Sequence, residues 1–126
     1  MNDLRNRLIV FAAGVLLVAG CGRSGPPTMD VTAARAAVAA ALDAWKAGEP
    51  AEQLRQRTPA VDFRDLHWDR GARLERYEVE AAQPSGFSAQ ITVKLFLTDR
   101  AGKSRPRVVV YTVDAGPTIV VRPEMM

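Results

Sequence analysis

Asp65, His67 and Asp69 occupy alternate positions, so on an extended backbone all three would project from one face. One imidazole and two carboxylates can hold a divalent cation or move a proton. The plainer reading is a hydrogen-bonding surface histidine in a polar loop, beside a Trp68 that packs inward to fill volume. The calcium-loop pattern fails, because it needs acidic residues at every second position and a glycine at the sixth. Serine chemistry would have to use His67, the single histidine of the chain, and neither Ser85 nor Ser88 stands in a nucleophile elbow. Gly14, Gly20, Gly22 and Gly25 all precede the folded domain, so they build no phosphate-binding loop. We therefore expect no catalytic, cofactor-binding or metal-binding residues, and a protein that is not an enzyme.

The residue whose chemistry the sequence does specify is Cys21, the only cysteine of the chain. Arg5 and Arg7 precede an apolar run over residues 8–19, and Val18-Ala19-Gly20-Cys21 closes it. Charge, an apolar core of about a dozen residues and a small-residue ending form the layout of a secretory signal peptide. The run is too short for a spanning helix, which needs about 20 apolar residues. The small-small-Cys ending resembles the lipobox of bacterial lipoproteins. That resemblance implies that Val18, Ala19 and Gly20 are read by the signal peptidase, that residues 1–20 are removed, and that the Cys21 sulfur carries a diacylglycerol. The expected address is an exported lipoprotein held on a membrane through Cys21. Gly22, where many Gram-negative inner-membrane lipoproteins have aspartate, resembles an outer-membrane, periplasm-facing destination. A simple secretory signal with an accidental cysteine is the competing reading.

Cleavage after Gly20 would leave about 15 Lys and Arg against about 13 Asp and Glu, a balance that argues against a nucleic-acid partner. Arg100, Lys103, Arg105 and Arg107 do gather around one turn, where they could meet an anionic headgroup or polysaccharide. Solvated charge at a hairpin tip is the simpler account. The chain has 126 residues, which leaves room for one domain over residues 29–122. Residues 21–28 read as a flexible tether, reaching roughly 25 Å at full extension, and residues 123–126 as a tail.

Apolar residues over 31–47 fall at Val31, Val38, Leu42 and Trp45, with Ala34 and Ala41 between them, which is helical spacing. Thr28 or Asp30 can cap the start, and Gly48 and Pro50 stop the helix. Residues 49–57 suggest a short helical turn that opens on Pro50. Residues 61–71 show no clean period and read as an ordered loop or edge segment. Period two then takes over: Leu74, Tyr77, Val79 and Ala81 in one strand, and Phe87, Ala89, Ile91, Val93, Leu95 and Leu97 in the next. Residues 107–113 and 118–122 complete a four-stranded antiparallel meander.

The expected class is α+β, with one long N-terminal helix packed on a curved four-stranded antiparallel sheet. Ala41-Leu42-x-Ala44-Trp45-Lys46-x-Gly48 followed by Trp68-x-x-Gly71-x-x-Leu74-x-x-Tyr77-x-Val79 resembles the cystatin-like and NTF2-like architecture of small bacterial envelope proteins. Cystatin-type inhibition would need Gln-x-Val-x-Gly in the first hairpin, and Gln90-Ile91-Thr92-Val93-Lys94 departs from it. An isomerase of the NTF2-like kind would need a cavity holding a tyrosine and carboxylic acids. Tyr77, Tyr111, Asp62, Asp65 and Asp69 are the right types, but their spacing does not gather them. The alanine-rich helix also leaves little volume for a small molecule between helix and sheet. The expected function is a protein-binding or structural role in the envelope, with a helix–sheet ligand pocket as the alternative. Phe96, on the polar face of the clearest strand, is the first aromatic expected to touch a partner, unless residues 122–126 cover it.

Overall fold

The computed structural model describes residues 27–124; Cys21 and its neighbours Val18, Ala19 and Gly20 lie outside them. Of the two candidate caps, Asp30 is used, its carboxylate accepting the Ala33 N–H at 2.9 Å. Helix α1 then runs Val31–Lys46 and ends as Gly48 adopts a φ of 83°, a left-handed conformation suited to glycine. Its buried face combines Val38, Leu42 and Trp45 with Ala34, Ala37, Ala41 and Ala44. Methyl-sized side chains bring the helix backbone close to the sheet it crosses.

A 3₁₀ turn follows at Ala51–Gln56, with Pro50 just before it rather than inside it. Residues 61–71 are more regular than expected. They contribute strand β1, Ala60–Phe63, and one helical turn, α2, Leu66–Asp69. Strands β2 (Arg73–Ser85), β3 (Ser88–Thr98), β4 (Ser104–Asp114) and β5 (Thr118–Pro123) form the antiparallel meander. Strand β1 adds to its far edge, parallel to β5, with Ala60 opposite Thr118 and Phe63 opposite Val121.

The α+β class and the helix-on-sheet packing stand, but the sheet is corrected to five strands and to mixed pairing, in the order β1-β5-β4-β3-β2. Two inward residues, Val61 and Phe63, are all that β1 contributes to the core. So short an alternation carries almost no period, and its partner lies at the other end of the chain. Strand β2 carries two register irregularities, at Leu74/Arg76 and Val79/Ala81, which bend an edge strand and discourage further pairing.

Helix α1 packs over β2 and β3. Ala89, Ile91, Val93 and Leu95 line the inner face of β3 with no solvent exposure. Trp45 and Trp68 stack face to face at 5.1 Å, joining the end of α1 to α2. Both indole N–H groups are satisfied, Trp45 donating to the Ala72 carbonyl at 2.8 Å and Trp68 to that of Glu49 at 3.1 Å. No described helix is long and apolar enough to cross a membrane.

Candidate functional site

The Asp65–Asp69 segment is helical, which changes what its side chains can do. Asp65 caps α2, its Oδ1 accepting the His67 N–H at 2.8 Å. With 3.6 residues per turn the expected alternation is lost: Asp65 turns inward to 3 % exposure while Asp69 stays exposed. His67 Nδ1 lies 3.4 Å from Asp65 Oδ1, at the rim rather than inside. Among the described residues, no three His, Cys, Asp or Glu side chains converge well enough to hold a metal ion.

Asp65 instead meets Tyr111, whose hydroxyl donates to its Oδ2 at 2.6 Å inside the core. Burial above all, then the Asp65 charge and hydrogen bond, push the Tyr111 phenol far above its usual range, with Arg107 opposing. Phe63 packs against Tyr111 at 5.0 Å and against the edge of Trp68 at 5.5 Å, and Trp68 stacks on Trp45. A carboxylate and a phenol in contact can in principle serve acid–base chemistry. Here the phenol proton is directed at Asp65, and the aromatic column packs against the Tyr111 ring on one side of the pair. The arrangement holds α2 against β4.

The other residues of the isomerase-like set lie apart. Tyr77 donates to Asp43 on α1 at 2.9 Å, and burial, followed by the Asp43 hydrogen bond and charge, pushes its hydroxyl up to about 12. Asp62 points away from the core and takes Arg64 at 2.8 Å and Arg55 at 3.1 Å. The Arg64 hydrogen bond, helped by Arg55 against a desolvation cost, holds its carboxyl below the usual value. Only Asp65 and Tyr111 come together, a pair 46 residues apart that no local pattern announces.

Three surface depressions surround α2. The largest, of about 520 Å³, opens between α2 and the end of β5, with Asp65, Leu66, Thr112 and Arg122 in its walls. A second, of about 430 Å³, lies at the end of α1 beside Trp45 and Trp68. A third, of about 340 Å³, separates α2 and the residues after it from the β3–β4 turn and is lined by His67, Arg70, Ala72, Asp99, Arg100 and Ala101. The sequence marks Arg100 as basic, but not its meeting with Arg70 and His67. That meeting depends on the packing of α2.

On the outer sheet face Phe96 is half-buried, with the Arg76 guanidinium 3.7 Å from its ring centroid and the Lys94 ammonium at 5.4 Å. The cover is cationic, and the C-terminal segment through Glu124 lies along Val110 and Thr112 instead. Val108 on the same face is 56 % exposed. Compared with known proteins, the chain matches no family model, no curated protein and no solved structure.

Proposed function

We propose that this chain is an exported lipoprotein, anchored to a membrane through Cys21, whose domain serves a binding or structural role in the cell envelope rather than a catalytic one. The observation that carries this reading is Val18-Ala19-Gly20-Cys21 at the end of a charged and then apolar leader. Met29 supports it from the other side, because it is buried and its N–H donates to the Phe87 carbonyl at 2.8 Å. On this reading residues 22–28 are the tether between the lipid-bearing residue and the packed domain. In an envelope with two membranes, Gly22 favours the outer one, facing the periplasm.

The domain is of the cystatin-like or NTF2-like kind, a helix laid across an antiparallel meander, with β1 as an added edge. Its outer sheet face, where Phe96 and Val108 lie among Arg76 and Lys94, supports binding of another envelope protein. The burial of Asp65 and Tyr111, at 3 % and 0 % exposure, and their bond to each other weigh against an active site there. Intact mass and membrane partition of the native chain, beside Cys21→Ala, test the reading. The native chain should lose residues 1–20, gain acyl chains and sediment with membranes, and the variant should not be acylated. Two soluble proteins cut elsewhere would overturn it.

A further inference from the structure

The cleft between α2 and the β3–β4 turn brings two arginines, Arg70 and Arg100, together with one carboxylate, Asp99. Several arginines elsewhere are paired, Arg55 and Arg64 with Asp62, Arg57 with Glu49, Arg76 with Glu78 and Arg122 with Asp114, whereas Arg35 and Arg73 stand alone on the surface among the described residues. Arg70 and Arg100, which line the cleft, form no ion pair among the described residues, and both are exposed. Asp99 keeps its negative charge on the cleft wall, but forms no ion pair with either arginine. Asp99 Oδ1 accepts the Ala101 and Lys103 N–H groups at 2.9 Å, and Glu75 accepts the Thr98 hydroxyl at 2.8 Å.

Gly71 shapes this arrangement. Its φ is 88°, and a Cβ built there would lie 3.2 Å from the Arg100 guanidinium. Glycine therefore lets the chain reverse after α2 and lets the Arg100 head lie across the backbone beside Arg70. The two guanidiniums reach one cleft of about 340 Å³ from different elements, with His67 on its wall. Guanidinium groups pair with planar or tetrahedral oxyanions through parallel hydrogen bonds. Two guanidiniums reaching one cleft suit a tetrahedral oxyanion, which offers each an edge of oxygens.

We propose that this cleft is a binding site for a phosphate-class oxyanion, held between Arg70 and Arg100. The cleft itself does not depend on the anchor proposed above, but the choice of ligand source rests on it. Met29 docks beside Phe87, where β3 begins, and Arg100 follows the end of β3, so the cleft and the tether lie at opposite ends of an eleven-residue strand. At about 3.4 Å per residue that separation is roughly 35 Å. This placement favours a phosphate on a soluble or polymeric envelope component over one in the bilayer that holds the anchor.

The test is calorimetric titration of the full chain in detergent with inorganic phosphate, comparing Arg70→Gln/Arg100→Gln with Arg35→Gln/Arg57→Gln, which removes the same charge elsewhere. Saturable binding that falls about tenfold or more in the first variant, and little in the second, is expected. Phosphate should also shift the amide resonances of Gly71 and Arg100 in the unaltered chain, a result that does not depend on how a variant folds. Equal losses in both variants would reduce the cluster to diffuse charge and overturn the site. Binding to phosphatidylglycerol vesicles without binding of free phosphate would make it a membrane-facing patch, which also overturns it.

Discussion

Asp65 and Tyr111 show how much one buried pair can decide. The carboxylate caps α2, and the same group accepts the Tyr111 hydroxyl at 2.6 Å, so two elements distant in the chain share one partner. Tyr111→Phe removes the donor and leaves a carboxylate oxygen buried without it, a loss of about 1–3 kcal/mol. Urea unfolding should show that loss, and an unchanged midpoint would mean that the pair does not hold α2. The tyrosines also set the alkaline limit of stability. Tyr77 is raised from 10.0 to about 12 in the fold, so its contribution is complete below pH 10. It is lost as pH rises toward 12, because the unfolded chain ionises first. Tyr111, raised as well, adds to the same decline, and Tyr77→Phe should make the fall of the urea midpoint between pH 10 and 12 shallower. Asp62 acts with the opposite sign: its carboxyl is lowered from 3.8, so its contribution is present above that pH and fades below it.

Helix α1 is bound to the sheet by contrast in side-chain size. Ala34 and Ala41 have no solvent exposure, and their methyl groups set the distance at which Val38, Leu42 and Trp45 reach the strands. Ala41→Leu should cost about 1–3 kcal/mol through overpacking, whereas Trp45→Ala should cost about 3–5 kcal/mol by removing both core volume and the stack on Trp68. Thermal melts of the two variants check both figures. An Ala41→Leu protein as stable as the parent would show that helix and sheet leave unfilled space, reviving a pocket between them. Helical spacing and alternation made α1 and β3 legible, since each repeats its period over more than ten residues. Strand β1 and helix α2 were not legible, because four residues each hold too little of any period.

Across the whole molecule, protection should follow depth in the sheet. Strand β3 is paired on both sides and lines the core with unexposed side chains, while β1 is a four-residue edge. Amide exchange should therefore be slowest at Ile91, Val93 and Leu95 and far faster in Ala60–Phe63. Equal protection would mean that β1 opens only with the whole domain. The exposed outer face and the basic cleft lie on this rigid support, so changes at Arg70 and Arg100 should alter binding without changing the exchange pattern of β3.

The amino-acid order alone determined the α+β class, the principal helix and the antiparallel meander. It also supplied the charged and then apolar run ending in Cys21, on which the proposed anchor rests. These are local properties, carried by periods, caps, turns and contiguous residues. Tertiary structure decided what distance along the chain conceals: the parallel pairing of β1 with β5, the Asp65–Tyr111 contact and the meeting of Arg70 with Arg100 across Gly71. Each joins residues far apart in the chain that no repeat connects, so only the folded arrangement brings them together.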